Sequence, residues 1–348
     1  MKKRFISLAL AVATMTTLFV GCGSTNKTGD SKKELTIYTA LEEDQINDYL
    51  EGYKAKYPDV ELNIVRDSTG VITSKLIAEG ENTSADIIWG LAATSLLVLD
   101  EKGMLEGYAP EGVDRIDEKF KGDGKTPTWV GIDIFENGIG INKTELDKLG
   151  LKAPTSFEDL LNPAYANMIS MPNPASSGTG FLVVAGILEH FGEEEGWKYL
   201  EKLHENIKAY THSGSRPAVM TAQGETNIGL ALGYRIIKEK QKGGQIDIAF
   251  PTEGICWDLE ANALVKKDSV KPEAKEFLDW AITDEAMDKY QKSYPMVTID
   301  KEYEIPAEYG KNPKEKLMNV NLKEVAKKRE AILTKWSEKF DSKSEPKN

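Results

Sequence analysis

The first part of the folded chain alternates strand and helix patterns, and this order limits the folds it can adopt. Residues 34–40 alternate apolar and polar side chains as a strand does. Residues 42–57 place apolar side chains at helical spacing before Pro58, and residues 60–65 form a second strand pattern. Such a strand–helix–strand unit joins parallel strands through a right-handed crossover. The sequence therefore predicts an α/β fold whose sheets are mixed and mostly parallel, with flanking helices.

Small and hydroxyl-bearing residues recur where a predicted strand runs into a predicted helix. In the clearest case two prolines exclude a helix in residues 171–174, residues 181–188 are apolar enough for a buried helix, and Ser-Ser-Gly-Thr-Gly lies between them at 176–180. Similar junctions lie at residues 66–70, 91–95 and 211–217. Free backbone NH groups at a helix start suit a tetrahedral oxyanion. The alternative at each junction is an ordinary capped helix.

Residues 1–21 are predicted to be a lipoprotein signal peptide rather than part of the fold. A basic start at residues 1–4 precedes an apolar run at 5–20, and Leu-Phe-Val-Gly-Cys at 18–22 resembles a bacterial lipoprotein box. We therefore expect a lipid on Cys22 and a flexible tether over residues 22–33. A plain secretory signal or a membrane-spanning anchor is the alternative. With Cys22 acylated, Cys256 has no partner, so no intramolecular disulfide is expected.

Length and charge limit the domain organisation and the partners. A chain of 348 residues is too long for one typical core, which predicts two lobes. We expect residues 34–138 and 262–348 to form lobe 1 and residues 139–261 to form lobe 2, joined by two crossover segments. A net charge of -12 without basic blocks makes nucleic acid and anionic membrane surfaces poor partners. We expect a monomer.

No catalytic motif is present in the sequence. It has no phosphate-binding Gly-x-x-x-x-Gly-Lys loop, no Gly-x-Ser-x-Gly elbow, and no paired histidines or cysteines with metal-ligand spacing. A carboxylate pair needs no motif, so a secreted enzyme acting on phosphorylated or phosphonate compounds stays a distant alternative. We predict a binding protein that is not an enzyme and carries no cofactor and no metal.

Several of these stretches together resemble the substrate-binding proteins of 2-aminoethylphosphonate ABC transporters. They are Thr-Ile-Tyr-Thr-Ala-Leu-Glu at 36–42, Val-Arg-Asp-Ser-Thr-Gly at 65–70, Ala-Asp-Ile-Ile-Trp-Gly-Leu-Ala-Ala-Thr-Ser at 85–95, residues 171–181, Leu-His-Glu-Asn-Ile at 203–207 and Tyr-Thr-His-Ser-Gly-Ser at 210–215. The resemblance extends from about residue 35 to residue 298. It implies an extracytoplasmic lipoprotein, anchored through Cys22 to the outer face of the cell membrane, that delivers ligand to a permease and indirectly serves its ATPase.

More broadly, the chain is similar to type II solute-binding proteins of the ferric-iron-binding superfamily, whose two lobes close on ligand like jaws. That similarity implies the two-lobed type II periplasmic-binding-protein fold. Iron binders of the superfamily carry adjacent tyrosines, whereas this sequence has Gly-Tyr-Arg at 233–235 and no adjacent tyrosines. A ferric-iron-binding transport component is therefore the second hypothesis for function.

The implied ligand is a short zwitterion, so its site needs hydrogen-bond donors at one end and an acid or aromatic face at the other. The predicted phosphonate-binding residues are Thr39, Ser68, Thr69, Gly70, Ala93, Thr94, Ser177, Gly178, Thr179 and Ser215. The predicted amine-binding residues are Tyr234, Glu253, Trp257 and Asp258. Glu260 ranks below Glu253 and Asp258, and Glu42 ranks lower still. The alternative is that two of the acids at 253, 258 and 260 only face solvent.

Overall fold

The computed structural model describes residues 33–346, so the predicted signal peptide, Cys22 and nearly all of the tether lie outside the described residues. The strands are β1 (Lys33–Thr39), β2 (Val60–Arg66), β3 (Ile87–Ala92), β4 (Leu105–Glu106), β5 (Val130–Ile141), β6 (Ile169–Pro172), β7 (Ile207–Thr211), β8 (Ile228–Leu232), β9 (Asp247–Ala249) and β10 (Trp257–Val265). The helices are α1 (Glu43–Lys56), α2 (Thr69–Glu79), α3 (Ala93–Glu101), α4 (Lys143–Lys148), α5 (Gly178–Phe191), α6 (Glu193–Asn206), α7 (Arg216–Ala222), α8 (Gly233–Gln241), α9 (Pro272–Trp280), α10 (Asp284–Gln291) and α11 (Leu322–Phe340).

The strands join in the order β2-β1-β3-β10-β5-β8-β6-β7, with β4 added beside β10 and β9 beside β5. On one side, β1 is parallel to both β2 and β3. On the other side, β6 is parallel to both β7 and β8. Between them, β10 and β5 run antiparallel to each other and to their outer neighbours. The predicted α/β class and mixed sheet are confirmed.

Strand β5 connects the two sides of the sheet. Its first part pairs with β10 as far as Glu136, and from Asn137 onward it pairs with β8. Two short apolar runs, at residues 129–135 and 138–142, predict two separate strands here, but the structure has one strand of 12 residues, all of them buried. The strand continues through Gly138, which pairs with Ala231 of β8. The missing side chain makes room for Ile248, because an added Cβ would lie 2.8 Å from Ile248 Cδ1.

Two large apolar clusters lie on the two sides of this junction. The first collects residues of β1, β3, α1, α9 and α10, and the second collects residues of α5, α6, β6 and β8. Helix α11 packs Val325, Ile332, Trp336 and Phe340 into the second cluster. Cys256 is a free, buried thiol in the same cluster. The lobe boundaries given above stay a prediction.

No helix within residues 33–346 combines the length and the apolar character needed to cross a membrane.

Candidate functional site

A cavity lies where the amino termini of α2 and α5 face each other across the two sides of the fold. It encloses about 440 Å³ of empty space, part of it open to solvent. Its lining residues are Ala40, Glu42, Arg66, Ser68, Thr69, Gly90, Ala92, Phe135, Ser177, Gly178, Thr179, Gly214, Leu232, Glu260 and Tyr294. Hydroxyl side chains and helix starts therefore line the cavity together with two acids, an arginine and a tyrosine.

The start of α2 leaves hydrogen-bonding groups free for a ligand. Ser68 precedes the helix with extended backbone, and its side chain makes no capping hydrogen bond within the described chain. Thr69 begins the helix, and both residues are buried. The next amide, of Gly70, donates to the Ser176 carbonyl oxygen at 2.8 Å. Because Ser176 lies just before α5, this bond ties the two helix starts together.

The start of α5 is closely packed around Ser177 and Thr179. Ser177 Oγ accepts a hydrogen bond from the Gly180 amide at 3.3 Å, so it caps the helix as well as lining the cavity. A Cβ on Gly178 would lie 2.7 Å from Thr69 Oγ1, and one on Gly214 would lie 2.8 Å from Thr179 Cβ. Glycine at 178 therefore lets the two sides approach this closely, and glycine at 214 makes room for Thr179 within one side.

Glu42 and Arg66 form a paired wall of the cavity. Arg66 Nη2 donates to Glu42 Oε1 at 2.9 Å, and Arg66 Nε donates to the Leu41 carbonyl oxygen at 3.0 Å. Arg235 Nη2 donates to the other carboxylate oxygen, Glu42 Oε2, at 2.8 Å. Glu42 thus has an arginine on each oxygen, and much of its charge is already neutralised inside the protein.

Glu260 has a different environment from Glu42. It lies on β10 directly opposite Asp133 of β5, and it is only 7% exposed. Tyr294 donates to Glu260 Oε1 at 3.2 Å, whereas Glu260 Oε2 has no hydrogen-bond partner among the described residues. Burial raises the pKa of Glu260 to about 8. Burial and the neighbouring Glu260 carboxyl hold the pKa of Asp133 well above its usual value.

Five of the predicted phosphonate-binding residues line the cavity: Ser68, Thr69, Ser177, Gly178 and Thr179. The other five do not line it. Gly70 packs against the backbone of Ala175, Thr39 Oγ1 accepts from the Leu41 amide, and Ser215 is buried next to the lining residue Gly214. Ala93 and Thr94 begin α3, where the Thr94 hydroxyl donates to Asp258 Oδ2 at 2.6 Å.

None of the four predicted amine-binding residues lines the cavity. Asp258 is occupied by Thr94 and by the Leu259 amide, which donates to its Oδ1 at 2.7 Å, and burial raises its pKa to about 6. Glu253 accepts from the Glu158 amide at 3.0 Å, in a loop that borders another surface cavity. Trp257 donates to the Met318 carbonyl oxygen, and the Tyr234 hydroxyl accepts from Lys238 at 2.9 Å.

The acids that do reach the cavity are the two that the sequence analysis ranks lower, Glu260 and Glu42. Arg66, Phe135, Leu232 and Tyr294 also line the cavity, but they are absent from the predicted ligand-binding residues. A signal existed for Arg66, because it ends β2 and is the first residue of the predicted junction at 66–70. Within residues 33–346, no group of three or more His, Cys, Asp and Glu side chains is placed to hold a metal ion.

Comparison with known proteins identifies the family. Residues 82–316 match the model of the bacterial extracellular solute-binding protein family. The chain belongs to this family. An uncharacterized protein of Haemophilus influenzae is 28% identical over 344 residues, covering 97% of this chain and 98% of its own length. A probable ABC transporter periplasmic-binding protein of Sinorhizobium fredii is 23% identical over 268 residues, covering 75% of this chain and 72% of its own.

A similar solved structure is the periplasmic binding protein AfuA from Actinobacillus pleuropneumoniae, determined with fructose-6-phosphate bound. It superposes with a TM-score of 0.82 at 27% identity, covering 89% of this chain and 99% of AfuA. The type II periplasmic-binding-protein fold is therefore confirmed. This solute-binding family member is the ligand-capturing component of an ABC transporter.

Proposed function

We propose that this solute-binding protein captures 2-aminoethylphosphonate, or a related phosphonate or phosphate compound, between its two lobes and delivers it to a permease. One observation carries the proposal. The amino termini of α2 and α5 come from opposite sides of the fold and line the same small cavity, together with four hydroxyl groups. Those hydroxyls belong to Ser68, Thr69, Ser177 and Thr179.

These two helix starts suit a tetrahedral oxyanion. Helix N-termini carry unpaired amides and a partial positive charge, and hydroxyls add donors that can turn toward each oxygen. Arg66 lines the same cavity, but its charge is shared with Glu42. The anion would therefore be held chiefly by backbone amides and hydroxyls. A phosphate monoester and a phosphonate present the same group here, which agrees with the sugar phosphate bound to AfuA.

The acids of the cavity lining favour a positively charged or hydrogen-bond-donating end on the ligand. Glu42, Glu260 and Tyr294 lie there, next to apolar surface from Phe135 and Leu232. A short ligand with a phosphonate at one end and an ammonium at the other matches both the helix starts and the acids. The resemblance of the sequence to 2-aminoethylphosphonate-binding proteins gives that ligand first place among the phosphonates.

The proposal includes how the protein works at the membrane. A lipid on Cys22 would tether the mature monomer to the outer face of the cell membrane, within reach of its permease. Ligand contacts both helix starts only when these lie as close as they do here, so binding would favour the closed arrangement over an open one. That closed form is what the permease would recognise.

Isothermal titration calorimetry with four compounds tests the proposal: 2-aminoethylphosphonate, inorganic phosphate, fructose 6-phosphate and ferric citrate. We expect one 2-aminoethylphosphonate per chain, weaker binding of phosphate, and no binding of ferric citrate. If fructose 6-phosphate binds most tightly, the proposed ligand class changes from phosphonates to sugar phosphates. Binding of ferric citrate without binding of any phosphorus compound would replace the proposal with the iron-transport alternative.

A further inference from the structure

Two buried carboxyl groups lie side by side beneath the cavity, at Asp133 and Glu260. They occupy opposite positions on the paired strands β5 and β10. Asp133 is fully buried and Glu260 is 7% exposed. Apart from the Tyr294 hydroxyl on Glu260 Oε1, no donor among the described residues reaches them, so both oxygens of Asp133 and Oε2 of Glu260 lack one. Two neighbouring carboxylates with a single donor are strongly destabilised if both are ionised.

The surroundings of this pair do not supply a positive charge. Its titratable neighbours from the packed elements are Glu136 of β5, Glu42 before α1, Tyr49 of α1, and Tyr290 and Tyr294 of α10 and the segment after it. The cations near Glu42 are Arg66 and Arg235, and both form ion pairs with Glu42 itself. The pair therefore keeps a proton when no ligand is bound, in agreement with the raised pKa of both carboxyl groups.

Glu260 is the member of the pair that reaches the ligand. It lines the same cavity as the helix starts that suit an oxyanion, and one of its carboxylate oxygens has no hydrogen-bond partner among the described residues. An ammonium group carries one positive charge and three donors, which is what this acid pair lacks. A ligand with its phosphonate on the starts of α2 and α5 would share this cavity with Glu260, and its other end would bind there.

Resting on the proposed function, we infer that the Asp133–Glu260 pair is the cation subsite and that a ligand's ammonium group displaces a proton from it. The ammonium binds as the charged species, Glu260 ionises, and the released proton passes to solvent, so charge is conserved in the site. A ligand without an amine leaves the pair protonated. A sugar phosphate differs again, because a protonated Glu260 would donate a hydrogen bond to a sugar hydroxyl and release no proton.

Proton release is measured by calorimetry at pH 7 in two buffers that differ in ionisation enthalpy, with 2-aminoethylphosphonate as the ligand. We expect the wild type to release close to one proton per ligand more than Glu260→Gln. The phosphonate's own titration is the same in both measurements, so the difference isolates the acid pair. Glu253→Gln removes an acid that does not line the cavity and serves as the matched control. It should release as many protons as the wild type.

Affinities give the second readout. Glu260→Gln should weaken 2-aminoethylphosphonate binding at pH 8.5 by about 10-fold or more, because a charge-assisted hydrogen bond is lost. Its affinity for inorganic phosphate should stay within about twofold of the wild type, which also shows that the variant is folded. Loss of both affinities alike would assign Glu260 a structural role and overturn the inference.

The outcomes separate this inference from the proposed function. If 2-aminoethylphosphonate binds and the wild type and Glu260→Gln release the same number of protons, the inference is wrong while the function stands. If 2-aminoethylphosphonate does not bind to the wild type, both are wrong. Should Glu260→Gln fail to fold, infrared difference spectra of the wild type decide the question. The carbonyl band of a protonated carboxyl must decrease when 2-aminoethylphosphonate binds and must stay when phosphate binds.

Discussion

Replacing Gly70 with alanine should weaken ligand binding without unfolding the protein. An added Cβ at this position would overlap the Ala175 carbonyl oxygen, and it would lie 2.8 Å from the Ala175 carbonyl carbon and 2.9 Å from the Ser176 oxygen. Ordinary contact begins at 3.4 Å, and these are backbone atoms that cannot rotate away. The start of α2 must therefore move back from the segment that precedes α5.

The size of the effect follows from two losses. The 2.8 Å hydrogen bond from the Gly70 amide to Ser176 is broken or lengthened, at about 1 kcal/mol, and the overpacking costs about 1–3 kcal/mol. Together they amount to about 2–4 kcal/mol, or roughly 30- to 1000-fold in the dissociation constant. Both losses fall only on the arrangement that brings the two helix starts together. Alanine is also favoured over glycine within a helix, so Gly70→Ala should not weaken α2. We therefore expect no loss of melting temperature in the empty protein from this cause.

Calorimetry with 2-aminoethylphosphonate and with phosphate, together with small-angle scattering, tests this prediction. The radius of gyration of the wild type should decrease on ligand binding, and that of Gly70→Ala should change less at the same ligand concentration. Ser74→Ala changes an exposed side chain one turn further along α2 and should behave as the wild type. An unchanged dissociation constant in Gly70→Ala would refute the idea that ligand is held between the start of α2 and the start of α5.

Three further predictions concern the hydroxyls, the buried acid and the lipid. The double substitution of Ser177→Ala with Thr179→Ala should weaken phosphonate binding by roughly 2–5 kcal/mol in calorimetry, because charge-assisted hydrogen bonds are lost; unchanged affinity would reduce this loop to a helix cap. Glu260→Gln should raise the melting temperature of the empty protein more at pH 8 than at pH 5. The folded-state pKa of about 8 exceeds the usual 4.5, so the stability contributed by the protonated acid is complete below pH 4.5 and lost as pH rises through 8; an equal gain at both pH values contradicts this. Cys22→Ser should release the protein from membranes in a fractionation assay, and retention after a high-salt wash counts against a lipid anchor.

The order of strands and helices could be predicted from sequence because its signals are local. The pattern at 42–57 predicts α1, observed at Glu43–Lys56, and the strand pattern at 60–65 predicts β2. Strand β5 could not be predicted as one element, because glycine at 138 weakens the strand pattern. Its continuity comes from pairing with β10, β8 and β9, which are distant in sequence.

The residues of the candidate site also differ in how well the sequence predicts them. Helix starts are encoded by neighbouring residues, so Ser68, Thr69, Ser177 and Thr179 could be named before the structure. The choice among acids depends on which strands pair and on which partners occupy each carboxylate. The residues at 253, 258 and 260 lie within eight positions of one another, yet they bond to a loop amide, to Thr94 at the start of α3, and to Tyr294 at the cavity.

Such a site selects its ligand through two sets of groups that lack partners within the protein: the helix starts and the acid pair. The helix starts gain from any tetrahedral oxyanion, so that end alone does not distinguish phosphate from a phosphonate. The acid pair can take either a proton or an ammonium group, and these two compete. Below the pKa of about 8, each lower pH unit should therefore reduce the affinity of an amine-bearing ligand by about tenfold through Glu260 alone. Amine-free anions do not compete for that proton, so preference for the zwitterion over phosphate should increase as the pH rises toward the pKa of Glu260.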